Sequence, residues 1–325
     1  MHRFYGLSAF MRQRFGKRVR KIPLDAGFSC PNRDGTLSAA GCVFCNPEGS
    51  GSGMAARGLT LPEQWRFWRD IHVKKHGVAE FTGYLQSYTN TYGPIEKLRA
   101  VLGELAGLPG LTSLALGTRP DCLDDARLDL LARQKERLGL DAVFLELGLQ
   151  TADNATLRHI NRGHDAAAFA DAARAGAERG LLVVAHVMAG LPGPRGREGG
   201  EALAATVDFL NGLPVHGVKF HNVYVCRGTR LAKWFGEGRY KPPTLDEYLA
   251  WLSGALARLD PRTVVHRLNG NPARGELLGP DWAGNMRRLH NRVRDHFEAH
   301  DVWQGKEHGA ENGPSPWFDP EYEER

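Results

Sequence analysis

Cys30-Pro-Asn-Arg-Asp-Gly-Thr-Leu-Ser-Ala-Ala-Gly-Cys42-Val-Phe-Cys45 is the most informative stretch of the 325-residue sequence. It contains three of the five cysteines, with eleven residues between the first two and two residues between the second two. Two cysteines spaced C-x-x-C on one loop can ligate the same metal centre, and a third can close the loop around it. Gly35 and Gly41 allow the bends that such a loop needs.

Three clustered thiolates fit two kinds of metal site. A structural zinc ion takes four protein ligands, so the fourth would come from a distant residue, either Cys122 or a histidine. A [4Fe–4S] cluster held by three cysteines has one iron without a protein ligand, where a small molecule can bind and react. The spacing by itself leaves both kinds of site open.

The cysteine loop resembles that of the radical S-adenosylmethionine (SAM) superfamily, in which an aromatic residue, here Phe44, precedes the last cysteine. Its long first spacing is similar to that of the branch related to the elongator catalytic subunit, and residues 23–36 resemble the YhcC-type subfamily of that branch. The resemblance implies that Cys30, Cys42 and Cys45 hold a [4Fe–4S] cluster and that Phe44 packs near the adenine of SAM.

The same resemblance implies an activity and partners. In this superfamily the open iron chelates the amino and carboxylate groups of SAM, and reduction of the cluster cleaves SAM to methionine and a 5′-deoxyadenosyl radical. The expected function is hydrogen abstraction from an unidentified substrate, with an electron donor such as flavodoxin or ferredoxin. The alternative is a non-catalytic zinc or iron–sulfur module that binds a partner.

Composition agrees with a soluble enzyme that has a sizeable core. Hydrophobic residues make up 42% of the chain, but no uncharged apolar run reaches the roughly 18 residues that span a membrane. The N-terminus has no apolar segment typical of a signal peptide, so we expect a cytoplasmic protein that does not bind membranes. Five cysteines, three of them clustered, do not indicate a disulfide framework.

Strand and helix patterns alternate along most of the chain. The predicted strands lie near 21–25, 81–88, 110–118, 142–150, 181–190 and 217–226. The helical patterns include 61–76, 94–106, 124–138, 165–179 and 198–211. Several strands are continuous apolar runs, as expected for a parallel sheet that is covered by helices.

Six βα units suit either a doubly wound sheet or a partial barrel. The family resemblance favours an α/β fold of the second kind, a partial (β/α)6 TIM-type barrel, here with a C-terminal α/β extension. In both folds the functional residues lie at the carboxyl ends of the strands. The residues that follow each predicted strand are therefore the candidate site residues.

The second and third strands end in polar residues. The superfamily often has a Gly-Gly-Glu-like element after the second strand, and this chain lacks it, so we choose Gln86 as the contact to the SAM amino group, with Tyr84 second. Thr118 and Arg119 end the third strand and should face the pocket, where an arginine can pair with a carboxylate. Asp121 can cap the helix that follows.

The fourth strand ends in Gln150, and Arg162 follows twelve residues later. This spacing resembles the branch that includes oxygen-independent coproporphyrinogen oxidase, and it implies that Gln150 contacts the ribose and Arg162 the methionine carboxylate. Glu146 lies on an otherwise apolar strand and needs a partner if it is buried. It either faces the cofactor or pairs structurally with Arg119. Gly190, in a Gly-Leu-Pro-Gly turn after the fifth strand, resembles the glycine-rich loop that approaches the adenosyl group.

The sixth strand presents polar residues toward the expected barrel mouth. Lys219, His221 and Cys226 are candidates for substrate contact. For His186 on the fifth strand, a hydrogen-bonded core histidine is the favoured interpretation, and a catalytic role is the alternative. For Cys122 and Cys226 the favoured interpretation is an unreactive, packed thiol.

The predicted domains are a basic N-terminal arm (1–20), the barrel (21–236), an extension that covers it (237–310) and a disordered tail (311–325). Basic residues concentrate in the arm and near residues 287–294, so RNA is one candidate partner, because lysine and arginine neutralise phosphates. A solvated surface is the other interpretation of the same charges.

Overall fold

The computed structural model describes residues 3–46, 49, 51, 53–273 and 275–307. The strands of this described part are β1 Val19–Leu24, β2 Glu80–Leu85, β3 Leu111–Thr118, β4 Ala142–Gln150, β5 Leu182–Ala189, β6 Pro192–Gly193, β7 Gly196–Arg197, β8 Gly217–Asn222, β9 Val225–Cys226, β10 Val264–Arg267 and β11 Leu277–Gly279. Its α-helices are α1 Leu7–Phe15, α2 Leu61–His76, α3 Ile95–Glu104, α4 Asp125–Ala132, α5 Gln134–Arg137, α6 Asn154–His159, α7 Ala166–Glu178, α8 Gly200–Asn211, α9 Arg230–Gly236, α10 Leu245–Arg258 and α11 Met286–Ala299. The predicted disordered tail lies outside the described residues.

Seven of the described strands form one parallel sheet in the order β1-β2-β3-β4-β5-β8-β10. The sheet curls into a half-barrel with helices around it, so the predicted partial α/β barrel is confirmed. All six predicted strands are present. The seventh, β10, belongs to the predicted C-terminal extension, and it pairs with β8 in the same sheet.

Two of the strands end earlier than predicted. Strand β2 stops at Leu85 because the buried Asn90 side chain donates hydrogen bonds to the carbonyl oxygens of Leu85 (3.1 Å) and Gly117 (2.8 Å). This amide joins the ends of β2 and β3 and turns the chain away from the sheet. The predicted sixth strand divides into β8 and β9, and β9 pairs antiparallel with β11.

The main core lies between the sheet and the surrounding helices. Helix α2 begins with a capping box, in which Thr60 accepts from the Glu63 amide and the Glu63 carboxylate accepts from the Thr60 amide. Helix α7 approaches the sheet closely at Gly176, where a Cβ atom would lie 2.8 Å from the Leu145 side chain.

The N-terminal segment is not a solvated arm over its whole length. Helix α1 closes the end of the half-barrel that lies opposite the carboxyl ends of the strands, since Phe10 and Met11 pack with the inward-facing side chains of Ala115, Phe144 and Val184. The prediction that part of this segment docks through its aromatic residues agrees with this placement. Lys17 forms ion pairs with Asp141 and Glu80, and the chain enters β1 at Val19, within the predicted arm.

Gln304 joins the two ends of the described chain. Its buried side chain accepts a hydrogen bond from the Tyr5 amide (2.9 Å) and donates to the carbonyl oxygens of Asp260 (2.7 Å) and Thr263 (2.8 Å). The Tyr5 carbonyl in turn accepts from the Val265 amide on β10. One glutamine therefore positions both the N-terminal helix and the last strand of the sheet.

Gln304→Ala is expected to lower the free energy of unfolding by about 3 kcal/mol, because three backbone groups lose a buried partner and each such loss costs roughly 1–3 kcal/mol. Urea denaturation measures the change. Glu298→Ala, at an exposed position of α11, is the control and should differ from wild type by less than about 0.5 kcal/mol. Equal stability of the Gln304 variant and wild type would contradict this role.

The chain after β8 packs against the sheet and reaches the mouth of the half-barrel. Helix α10 packs on α8, and α11 buries Leu289, Val293 and Phe297. The segment between β10 and β11 lies over the carboxyl ends of the strands. Among the described residues, no helix combines the length and the apolar character needed to cross a membrane.

Candidate functional site

A cavity of about 510 Å³ lies at the carboxyl ends of the strands. Ten of the eleven predicted site residues line it, namely Cys30, Cys42, Phe44, Cys45, Gln86, Thr118, Arg119, Glu146, Gln150 and Arg162. A larger depression, of about 680 Å³, lies on the outer surface beside α3, α4 and α5, and it contains none of the predicted residues. The cavity at the strand ends is therefore the candidate site.

Gly190 does not line this cavity, and the prediction that it belongs to the site is corrected. Its carbonyl oxygen accepts a hydrogen bond from the Tyr240 hydroxyl (2.6 Å), and a Cβ atom at Gly190 would lie 3.1 Å from Pro243. The backbone has φ +92°, which a glycine adopts easily. The glycine is thus used for the turn and for packing against the chain before α10.

The cysteine loop is held by backbone and side-chain hydrogen bonds rather than by regular structure. The Gly41 amide donates to the Asn32 carbonyl (2.7 Å), and the Val43 amide donates to the Ile160 carbonyl (3.0 Å). The Asn161 side chain donates to the Gly41 carbonyl (2.8 Å). These bonds fasten the loop to the segment after β4, so the cysteines and the end of β4 share one wall of the cavity.

The donor set fits a polynuclear cluster. Cys30, Cys42 and Cys45 all line the cavity, yet no group of three or more His, Cys, Asp or Glu side chains in the described part of the chain is arranged to hold a single metal ion. The thiolates of a [4Fe–4S] cluster each bind a different iron, so they stand further apart than the ligands of one zinc ion. The Cys42 sulfur also accepts hydrogen bonds from Asn32 Nδ2 (3.4 Å) and Arg162 Nη1 (3.6 Å), and N–H donors of this kind stabilise a thiolate.

The side chains of Gln150 and Arg162 both lie next to the backbone of Gly148. Arg162 Nη2 donates to the Gly148 carbonyl (2.7 Å). A Cβ atom at Gly148 would lie 2.6 Å from Gln150 Nε2 and closer still to the Arg162 guanidinium. The buried Arg162 Nε has no hydrogen-bond partner among the described residues. This arginine therefore retains donor capacity beside the cysteines.

Non-glycine residues with positive φ angles, which such residues rarely adopt, concentrate around the cavity. Gln150 has φ +78°, Tyr88 φ +57° and Asn161 φ +57°, and all three belong to the loops or strand ends that form the site. For non-glycine residues such conformations cost of order 1–3 kcal/mol and are retained at functional sites. At Gln150 the turn directs the amide toward the cavity.

Thr118 and Arg119 lie at the carboxyl end of β3, as predicted. The Thr118 hydroxyl is within hydrogen-bond distance of the Thr91 hydroxyl (2.6 Å). Two nitrogens of the buried Arg119 guanidinium bind the Asp121 carboxylate (2.9 and 2.7 Å), and this pairing raises the arginine pKa against the effect of burial. Asp121 is thus not the helix cap that the sequence predicted; Asp124 caps α4 instead.

Glu146 is fully buried and forms the centre of a charge cluster on the inner face of the sheet. Its carboxylate binds Lys21 (2.7 Å), Lys219 and the His186 Nε2 atom (2.9 Å). Burial alone would raise the pKa of Glu146, but the two lysines and the histidine hold it well below its usual range. The structural alternative of a pair with Arg119 is wrong, because Arg119 binds Asp121.

The groups around Glu146 have strongly altered pKa values. Burial lowers the pKa of Lys219 to about 7, against the opposing effect of Glu146. Burial lowers the pKa of His186 to about 4, so this histidine is neutral at pH 7 and donates to Glu146. The Tyr84 ring lies against both ammonium groups, with its centroid 5.0 Å from Lys21 Nζ and 4.3 Å from Lys219 Nζ. Burial and then Glu146 raise the pKa of Tyr84 well above its ordinary value.

The two remaining cysteines differ in position. Cys226 lines the cavity and is buried, and burial raises its pKa to about 12. Burial likewise raises the pKa of Cys122 to about 12, and this residue is not part of the cavity lining. High pKa values leave both thiols protonated and weakly nucleophilic, in agreement with the predicted packed thiols.

Residues 30–203 match the model of the Radical SAM superfamily, and residues 215–299 match that of the Radical SAM C-terminal domain. The chain belongs to the radical SAM superfamily. It is 34% identical over 310 residues to protein YhcC of Escherichia coli strain K12, and the aligned region covers 95% of this chain and 95% of that protein. It is 32% identical to YtqA of Bacillus subtilis strain 168, with 94% of this chain and 92% of that protein covered.

Solved structures of radical SAM proteins share the fold. An archaeal Elp3 from Methanocaldococcus infernus, with an N-terminal deletion, superposes with a TM-score of 0.65 at 18% identity and covers 88% of this chain and 64% of that chain. Elongator complex protein 3 of Schizosaccharomyces pombe is 30% identical over 184 residues, 56% of this chain and 32% of that protein. The predicted kinship with the elongator branch of the radical SAM superfamily is thereby confirmed.

Several residues of the cavity and of the Glu146 charge cluster were missed by the sequence analysis. Lys21 begins the first predicted strand, and its position two residues after Val19 places the two side chains on the same face of β1. Asn32, which donates to Cys42, and Arg267 and Glu276, which line the cavity from the C-terminal part of the chain, carry no local signal. Arg267 reaches the site as the last residue of β10, whereas the folding of the segment after β10 over the strand ends brings Glu276 there.

Proposed function

We propose that this protein is an enzyme that cleaves SAM reductively and abstracts a hydrogen atom from a substrate bound in the cavity. The single observation that supports this most is that the three cysteines and the Gln150–Arg162 pair line the same cavity. Family membership makes this chemistry the first expectation for such a cavity.

The residues around the cavity have separate proposed roles. Cys30, Cys42 and Cys45 would hold a [4Fe–4S] cluster, which together with SAM supplies a 5′-deoxyadenosyl radical. Arg162 would bind the carboxylate of SAM through its unpartnered Nε donor, and Gln150 would contact the ribose. Phe44 would lie at the adenine, Gln86 at the amino group and Thr118 at the wall of the SAM pocket.

The rest of the cavity serves the substrate. The segment that contributes Arg267 and residues 271–273 lies over the strand ends and lowers the access of water to the cavity. Arg119 is held by Asp121 and keeps a fixed position beside the cysteine loop. A flavodoxin or ferredoxin would be the electron donor.

The test is anaerobic reconstitution with iron and sulfide, reduction with dithionite, and measurement of 5′-deoxyadenosine and methionine. We expect both products from SAM in equal amounts, with turnover increased when cell extract supplies the substrate. An intact, reduced cluster that leaves SAM uncleaved would contradict the proposal and favour the non-catalytic module.

RNA is the macromolecular substrate proposed from the basic residues of the sequence. Arg287 and Arg288 lie in the first turn of α11. Arg292 Nη2 lies 3.7 Å from Asp246 Oδ1, so part of the basic charge is neutralised within the protein. RNA binding would weaken steeply as salt rises, because each neutralised phosphate releases counterions. Filter binding of cellular RNA at two salt concentrations tests this; no binding at low salt would exclude RNA as the substrate.

Gly148→Ala is expected to raise the Kd for SAM about tenfold or more, which corresponds to about 1.4 kcal/mol of binding free energy. The added methyl group would occupy the space of the Arg162 and Gln150 side chains. Isothermal titration of the reconstituted protein with SAM measures the effect. Gly254→Ala on α10, where a Cβ atom meets nothing within 4 Å, is the control and should leave the Kd unchanged. Wild-type affinity in the Gly148 variant would contradict the assignment of Arg162 and Gln150.

A further inference from the structure

Three basic residues stand side by side on the inner face of neighbouring strands. In the sheet register His186 on β5 pairs with Lys219 on β8, and Lys219 pairs with Arg267 on β10. His186 and Arg267 line the cavity, and Lys219 is buried between them with its ammonium group against Glu146. They lie toward the β10 edge of the sheet, whereas β1 at the other edge leads into the cysteine loop.

One arginine in this part of the cavity has no counter-charge among the described side chains. The Glu146 carboxylate is already bound by Lys21, Lys219 and His186. Among the described residues, Arg267 has no carboxylate within 4.0 Å; its Nε donates to the Asn269 carbonyl. The other carboxylate that lines the cavity, Glu276, accepts a hydrogen bond from Asn46 (2.9 Å).

Two hydrogen-bonding atoms beside these charges have no partner in the described part of the chain. Asn222, which is fully buried, uses its Oδ1 to accept from the Gly270 amide (2.9 Å), and this bond fixes its Nδ2 as an unpaired donor. The His221 Nε2 atom is also buried without a partner. Both side chains line the cavity. Buried donors without acceptors are rare in folded proteins and cost about 1–3 kcal/mol each.

We propose that His221, Asn222 and Arg267, here called the cationic wall, form a subsite for an anionic group of the substrate, a carboxylate or a phosphate. The inference rests on the proposed function, because it assigns part of the same cavity to the substrate. An anion there offsets the positive charge of Arg267, receives the Asn222 N–H group and presents two oxygens to the guanidinium fork.

The subsite would also determine how the substrate lies. An anionic group held at the β8 and β10 end of the sheet leaves the remainder of the molecule directed along the cavity toward the Gln150 and cysteine side. Neutral molecules of similar shape would bind less well, since they leave the Arg267 guanidinium without a counter-charge. The substrate class is therefore a molecule that carries a carboxylate or phosphate group.

The test uses reconstituted protein saturated with SAM and titrated separately with acetate and with inorganic phosphate by calorimetry. We expect saturable binding of at least one anion at one site per chain, and the preferred anion distinguishes a carboxylate from a phosphate. Arg267→Gln should weaken this binding at least about tenfold, while Arg267→Lys retains part of it. Arg294→Gln, an exposed arginine paired with the adjacent Asp295, is the matched control and should bind as wild type does.

The same samples separate this inference from the proposed function. SAM cleavage by wild type without substrate tests the proposed function alone, and the control Arg294→Gln should cleave SAM at the same rate. Absence of saturable anion binding in wild type, or wild-type binding in Arg267→Gln, would overturn the subsite while SAM cleavage continues to support the proposed function. Loss of SAM binding in Arg267→Gln would assign the cationic wall to the cofactor and would also overturn the subsite.

Discussion

Cys45→Ala will lose the brown absorbance of the reconstituted protein and lower the rate of 5′-deoxyadenosine formation by about 100-fold or more. The physical reason is that Cys30 and Cys42 leave two irons of the proposed cluster without protein ligands, and losing even a supporting group of a metal site costs about 10–100-fold. Iron and sulfide content, absorbance and product formation, measured on one preparation, give the result.

Cys122→Ala is the control for this variant. Cys122 lies outside the cavity lining, so we expect full iron content and full SAM cleavage. If Cys45→Ala retained its iron while Cys122→Ala lost it, the ligand set would have to include Cys122, as in the zinc alternative.

Glu146→Gln is expected to lower the free energy of unfolding by about 3–5 kcal/mol at about pH 7, the loss typical when one partner of a buried ion pair is removed. The amide has nearly the same shape, but it leaves Lys21 and Lys219 without their shared counter-charge. Urea denaturation of the variant and wild type measures the difference. A variant as stable as wild type would show that the cluster is not charged as described.

The loss should depend on pH in a defined direction. Without Glu146 the buried Lys219 releases its proton on folding, while the unfolded chain keeps it, so the stability of the variant rises with pH. In wild type, Lys219 has a pKa of about 7 and also releases its proton on folding above that pH, so the deficit should shrink as the pH rises toward about 7 and then stay constant. On the acid side, the depressed Glu146 pKa stabilises wild type above the ordinary glutamate pKa of about 4.3, and this contribution is lost as the pH falls further.

A triple variant separates charge from packing. Lys21→Met, Glu146→Leu and Lys219→Met together remove all three charges and are expected to recover most of the stability that Glu146→Gln loses, because buried ion groups can be replaced by packed apolar residues with little cost. Failure of the triple variant to regain stability would indicate that shape, not charge balance, explains the loss.

The cysteine loop and the strand ends could be predicted from sequence because their signals are local. The spacing of Cys30, Cys42 and Cys45 and the βα alternation are visible within short windows, and parallel strands align their carboxyl ends at one edge. The resemblance to the branch that includes oxygen-independent coproporphyrinogen oxidase placed Gln150 and Arg162 at the cavity, although eleven residues lie between them. The positive φ of Gln150 and the close approach over Gly148 explain the pairing, and neither is visible in the sequence.

Other features depend on contacts between distant segments. Lys21 lies in the first predicted strand, but its ion pair with Glu146, 125 residues later and inside the half-barrel, has no signal in the sequence. Gly190 has the expected turn, yet Tyr240 and Pro243 from the following segment cover it. Arg267 reaches the cavity only because β10 extends the sheet beyond β8. Sequence patterns predict which face of a strand or helix is buried and where turns occur, whereas the positions of these three residues follow from tertiary packing.

Electron paramagnetic resonance of the reduced, reconstituted protein before and after addition of SAM tests the central claim most directly. Three cysteine ligands leave one iron open, so we predict the signal of a reduced [4Fe–4S] cluster whose g-values shift when SAM binds to that iron. A cluster signal that SAM leaves unchanged, or a protein that takes up zinc and gives no iron–sulfur signal, would contradict it.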